Sequence, residues 1–284
     1  MPLQPITPPT VEPVSLLEAK AHLRVDIADD DVLIGALVSA ARDYAEGLTH
    51  KQMVAARWKQ VMDSFPGPTL IGIPQGRTFT LPGHAIYLQR SPVVRVVSIQ
   101  YLDMSGNVQT MPATDYTVDY SSDPVRITPV FGKIWPIPLP QIGSVWVTFD
   151  AGYAAPLTAD TVASTISAPA WTSLNVGDAV RLSNGGGALP APLQGNTDYY
   201  VQSVVSPGVY KLTATSGGTA IAITSAGTGQ SFVGVVPEGL KAWLKIRIAA
   251  LYENREEVAI MNRGKIEPLP YVDRLLDNYM THEF

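Results

Sequence analysis

The sequence predicts an α+β fold, with helices at both ends of the chain and a β-rich middle. Three observations carry this. Apolar residues recur at spacings of three and four in the N-terminal region and again after Pro237, the pattern of helices that bury one stripe. Between them, short β-branched and aromatic runs alternate with Gly, Pro and Asn/Asp turns. Within that middle, Leu157–Val235 changes composition to Gly, Ser, Thr and Ala with few charges.

The first thirteen residues hold five prolines and should form an extended arm. Ser15-Leu16-Leu17-Glu18 reads as a capping box, in which Ser15 and Glu18 each satisfy the other's backbone N–H. It should open a short helix ending near Arg24. Asp29–Asp31 complement the positive end of a second helix. In that helix Leu33, Ile34, Leu37, Val38, Ala41, Tyr44, Ala45 and Leu48 form one stripe, with Arg42, Asp43 and Glu46 on the other side.

From Val54 the pattern becomes that of strands. Ala56–Met62 alternates, and a Pro/Gly-rich break follows from Pro66 to Pro82. Strands are expected at Ile86–Leu88, Val93–Leu102, Val108–Thr110, Tyr116–Asp119, Arg126–Thr128 and Ser144–Asp150. Asp103–Asn107 is a hairpin loop in which Gly106 can take positive φ. In Leu157–Val235 the β-prone runs are Asp178–Leu182, Tyr199–Val205, Tyr210–Thr213, Ala220–Ile223 and Ser231–Val233, separated by turns as in a small sandwich or barrel. Pro237-Glu238 opens a long helix with Leu240, Trp243, Leu244, Ile248, Leu251 and Tyr252 on one face. A linker at Gly264–Pro268 leads to a last helix carrying Val272, Leu275, Leu276 and Tyr279.

Composition narrows the function. The 284 residues suffice for one large domain or two modest ones. The absence of cysteine removes disulfides, thiolate metal sites and thiol nucleophiles, and fits synthesis in a reducing cytosol. A net charge of −5 argues against a protein that grips DNA. No apolar run reaches the roughly 18 residues of a membrane span, and the N-terminus lacks the pattern of a signal peptide.

Motifs for chemistry are missing. His22, His50, His84 and His282 form no zinc-hydrolase spacing. Asp29–Asp31 lacks the alternating ligands and closing Glu of a calcium loop, and a helix cap is the better reading. Asn184–Gly187 lacks the G-K-[ST] ending of a phosphate loop and reads as a flexible hairpin tip. The pairs Glu256-Glu257 and Asp115/Asp119 do not make a glycosidase dyad. Trp171, Tyr199, Tyr200 and Tyr210 would either stack on sugars or fill a small core, and the core is favoured. No enzyme and no cofactor is expected.

Four ordered stretches resemble the phage head–tail connector family, which includes HK97-type connectors and phiE125-type adaptor proteins. They are Val14–Asp26 with the Asp29–Asp31 run; the helix ending Ala41-Arg42-Asp43-Tyr44-Ala45-Glu46; Val145–Phe149 running into Ala151-Gly152-Tyr153; and Pro237–Lys241 continuing to Leu251–Glu256. The resemblance spans about Pro13–Tyr153 and Val236–Tyr279. Family members usually pass from the A-G-Y strand end to the P-E helix within a few residues, so Leu157–Val235 stands out as an insertion, similar to small β modules of phage structural proteins.

The resemblance implies a connector core over residues 14–156 and 236–284, an arm over 1–13 and an inserted β domain over 157–235. It also implies a structural virion protein of the head–tail junction, assembled in the host cytoplasm. Such a protein forms a ring, commonly a dodecamer, under the portal protein. The ring extends the DNA channel without sequence-specific binding and offers an attachment site to a tail-side connector or tail-terminator protein, with no membrane involved. Tyr279, His282 and Phe284, at the C-terminal end, are candidates for partner contact. Two other readings are a tail-completion or terminator protein and a host-surface or carbohydrate-binding protein acting through the insertion.

Overall fold

The computed structural model describes residues 2–67, 84–254 and 270–280, with no account of the side chains of 270–273. The expected linker at Gly264–Pro268, the Glu256-Glu257 pair and the Val272 side chain lie outside the described residues. Helices and antiparallel strands are both present, as an α+β fold requires. The chain divides into two compact units, residues 1–8 with 56–152 and residues 9–55 with 153–284.

The first unit is β-rich. A five-stranded antiparallel sheet has the order β1 (Leu3–Thr7), β2 (Ala56–Met62), β8 (Val145–Ala151), β4 (Val93–Leu102), β5 (Val108–Thr110). A three-stranded sheet has the order β3 (Ile86–Tyr87), β7 (Arg126–Pro129), β6 (Tyr116–Asp119). β8 is central because its alternate residues Val145, Val147 and Phe149 are fully buried, while Trp146 and Thr148 face the other way. They pack with Ile86, Leu88, Ile99 and Ile127 into one core that draws on both sheets. The buried Gln60 amide links the sheets: it donates to the Tyr87 carbonyl at 2.8 Å and accepts from the Gln89 N–H at 2.9 Å. The hairpin forms as expected, with Gly106 at φ +81° and Asp103 accepting from the Ser105 and Asn107 N–H groups. β1 lies within the expected extended arm, yet it is a paired edge strand. An edge position tolerates Pro5, whose missing N–H costs no ladder bond there.

The second unit combines helices with a seven-stranded sheet. α1 (Leu16–Leu23) carries both bonds of the capping box and ends on Arg24 in the left-handed region. α2 (Asp31–Thr49) and α3 (Glu238–Glu253) pack through Ile34, Val38, Ala41 and Ala45 against Leu240, Trp243, Leu244 and Ile248. α4 (Pro270–Asp277) adds Leu276. One expectation fails here. Glu46, assigned to the polar side, is 8% exposed, because its Oε1 accepts from the Gln52 amide at 2.7 Å and the Met53 N–H at 3.0 Å. The carboxylate caps the turn that follows the helix, and those bonds make its burial tolerable.

The sheet has the order β11 (Ala179–Val180), β13 (Tyr199–Ser206), β14 (Val209–Thr213), β10 (Thr165–Ser167), β9 (Ala154–Asp160), β15 (Ser231–Gly234), β12 (Leu182–Asn184). Its edge strands β11 and β12 are separated by Arg181 alone, so the sheet curls into a near-barrel and leaves little open edge. This corrects the single strand expected at Asp178–Leu182: Ala179 and Val180 pair with β13, whereas Leu182–Asn184 pair with β15. Changing partners requires a break at Arg181. No strand forms at Ala220–Ile223, although Ile223 is buried and the Ile221 N–H donates to Leu212. The sheet begins at Ala154, three residues before Leu157. It has its own core, including Leu157, Ile166, Leu182, Val201, Tyr210 and Val233.

Candidate interaction surfaces

The N-terminal segment Val11–Ser15 is held from two sides. Val11, Val14 and Ser15 are buried. Glu12 Oε1 accepts from the Ser39 hydroxyl at 2.8 Å and the Arg42 guanidinium at 3.0 Å, both on α2. From the sheet, Arg181 Nη1 donates to the Glu12 carbonyl at 2.9 Å and the Val14 carbonyl at 3.3 Å, while its Nε pairs with Asp198 at 2.6 Å. The residue that breaks β11 from β12 thus clamps the segment that leads into α1. A guanidinium suits this position because one planar group can serve a carboxylate and backbone carbonyls together.

On the outer side of the helices, Tyr44 stacks on Trp243 at 5.9 Å, and the Arg247 guanidinium lies over the Tyr44 ring at 4.7 Å. The acidic run is occupied within the chain: Asp31 pairs with Lys20, and Asp30 accepts from the Tyr252 hydroxyl. These bonds fit a helix start better than an ion site, although Asp30 makes no side-chain cap bond of its own. Among the described residues, no group of three or more His, Asp or Glu side chains is placed to hold a metal ion.

The glycine-rich loop is not a flexible tip. Asn184 Nδ2 donates to the Ala188 and Thr228 carbonyls at 3.2 and 2.9 Å, and a Cβ on Gly187 would stand 2.1 Å from the Thr228 oxygen. The close backbone approach demands glycine there. Tyr199 and Tyr210 are 5% and 1% exposed and serve the sheet's core, while Trp171 is exposed. His22 and His50 are exposed, and His84 contributes its carbonyl to Trp135. In the first unit, hydrogen bonds from Ser121 and Arg126 hold the Asp119 carboxyl well below the usual carboxylate range. Bonds from Gln109 and the Asn107 backbone lower Asp103.

Of the C-terminal candidates, Tyr279 is half-buried, edge-on to Tyr153 at 6.4 Å and close to Gly239. His282 and Phe284 lie outside the described residues. Two exposed apolar groups were not anticipated from sequence. In the Val130–Gly143 loop, Phe131, Ile134, Ile137 and Ile142 are 105%, 85%, 79% and 89% exposed. At the start of the helical region, Leu17, Ile27 and Val32 are 65%, 60% and 87% exposed. Single apolar residues in water are ordinary, whereas large contiguous apolar patches are the mark of contact surfaces.

Residues 13–74 match the family described as phage gp6-like head-tail connector protein, which bears out the resemblance over that stretch. Along its whole length the chain has the fold of chains in three particle structures. It is 15% identical, with a TM-score of 0.55, to a chain in a virion of a native gene transfer agent particle. It is 16% identical, with TM-scores of 0.54 and 0.50, to chains in the neck of an empty gene transfer agent particle computed with C6 symmetry and the neck of a native one computed with C12 symmetry. Each likeness covers 100% of this chain and 97% of the other. No curated protein matches.

Proposed function

We propose that the chain is a head–tail adaptor, a structural subunit that forms a ring beneath the portal protein, continues the DNA channel and receives the tail. One observation carries this reading: the connector-family match at residues 13–74 sits inside a full-length likeness to neck chains of a phage-like particle. A twelve-subunit ring fits the C12 symmetry of one of those necks. The net charge of −5 fits a channel along which DNA slides without being held. The tail-side partner would be a connector or terminator protein, met in part through Tyr279, His282 and Phe284. Assembly would take place in the host cytoplasm.

The same proposal reads Leu157–Val235 as a module inserted into a connector core. The Val235 N–H donates to the Tyr153 carbonyl at 3.0 Å, and β9 runs antiparallel beside β15 with Ala154 opposite Gly234. The chain therefore leaves and returns at one point, and what lies between has its own apolar core.

Deleting the gene from the particle-producing genome tests the role. The expected result is free tails and heads without tails, with attachment restored by supplying the chain from a second copy of the gene. Normal yields of tailed particles without the chain would end the adaptor reading.

A further inference from the structure

The exposed apolar loop of the first unit is fixed in place. Trp135 stacks on Phe65 at 4.9 Å and donates its indole N–H to the His84 carbonyl at 2.6 Å, and the Leu139 N–H donates to Leu102 at 2.8 Å. With its backbone tethered, the loop cannot turn Phe131, Ile134, Ile137 and Ile142 inward. Together they present on the order of 500 Å² of apolar surface, near the top of the ~300–600 Å² of the largest patch on a typical monomer. The second patch is also fixed. Lys20 donates to the Ile27 carbonyl at 2.8 Å and pairs with Asp31, which ties the stretch carrying Ile27 and Val32 to α1.

We propose that the Val130–Gly143 loop of one copy seats on the Leu17–Ile27–Val32 patch of the next copy. The inference rests on the ring reading and supplies its contact. A closed ring joins unlike surfaces, so every chain must carry both halves of the contact, and this chain carries two separate apolar groups. The loop's area approaches the ~800 Å² per partner of a stable interface, with the surroundings of each patch supplying the rest. The loop carries one charged residue, Lys133, which pairs with Asp115 of its own chain at 3.6 Å. An apolar centre with few unpaired charges is the usual make-up of an interface.

The lack of native cysteine makes the test clean. Particles are purified from cells producing the chain with Ile134→Cys and Val32→Cys together. They are treated with a short bis-maleimide and resolved on a denaturing gel probed for the chain. The proposal expects a ladder of covalent multimers beyond the dimer from the double variant and none beyond the dimer from either single variant. Ile134→Asp should lower incorporation into particles by about tenfold or more, the effect of ~1.4 kcal/mol or more at the contact. Val162→Asp, at an exposed apolar position elsewhere, should leave incorporation unchanged. Double-variant chains present in particles without a ladder overturn the contact and leave the adaptor reading standing. A wild-type chain absent from purified particles overturns both.

Discussion

Asp150 is the position where the first unit should be most sensitive to a single charge. It sits on β8 opposite Arg57 of β2 on one side and Arg95 of β4 on the other. Its side chain is 1% exposed, with Oδ1 2.7 Å from Arg57 Nε and Oδ2 2.8 Å from Arg95 Nε. Removing one partner of a buried pair costs about 3–5 kcal/mol, because the charge left behind stays desolvated. Here the survivors are better placed: Arg57 is 18% and Arg95 37% exposed, so both can turn toward water and Arg95's share is heavily discounted. Asp150→Ala should therefore destabilise the first unit by about 2–3 kcal/mol, or roughly 10 °C in melting temperature. Arg95→Ala should cost about 1 kcal/mol or less. Hydrogen exchange followed by mass spectrometry, read on β2, β4 and β8, localises the effect. A change below about 0.5 kcal/mol for Asp150→Ala would refute the idea that this carboxylate fastens three strands together.

Three further outcomes are expected. Trp243→Ala should destabilise the helical part of the second unit by about 3–5 kcal/mol, because a 1% exposed ring stacked on Tyr44 is lost; near-ultraviolet circular dichroism during thermal melting checks it. Arg181→Ala should speed amide exchange in Val11–Ser15 while β13 and β14 keep their protection, and Arg181→Lys should not restore the wild-type rate, since an ammonium lacks the guanidinium fork. Asp103 and Asp119 are held below their ordinary value, so the unfolded chain binds more protons than the folded one between the two values. Their contribution is complete above about pH 5 and is lost as pH falls through the folded values; urea midpoints from pH 6 to 2 should decline less for Asp119→Asn than for wild type.

The sequence made local order legible. Ser15 and Glu18 form their reciprocal bonds, the stripe Ile34–Val38–Ala41–Ala45 is buried, and the Asp103–Asn107 hairpin forms where its turn residues stand. Each depends on neighbours within a turn or two. What stayed hidden depends on distant residues. β9 reads as loop because Ala, Pro and Thr show no alternation, and only pairing with β10 and β15 makes it a strand. Arg181 looks like an ordinary strand residue until the sheet closes around it. Glu46 follows the polar side of its helix in sequence, but Gln52 and Met53 bring its partners back to it. The contact surfaces were the least legible. Phe131 and Ile134 drew no reading from sequence, and their exposure shows only once Trp135 is seated against Phe65 and the His84 carbonyl.

Because Tyr153 and Val235 are hydrogen-bonded neighbours, the stretch between them is a closed loop, and the entropy of closing it depends only weakly on its length, about 0.6 kcal/mol for each doubling. Under the inserted-module proposal, that stretch could be lengthened, shortened or exchanged while the strand on one side and the helix on the other keep their registers. The constraint on such exchange comes from Arg181, which ties the module to the Glu12 and Val14 backbone. A replacement module that lacks an equivalent cation would leave two carbonyls to find water. On that proposal, the seam of the near-barrel is also the point at which the module is fitted to the rest of the chain.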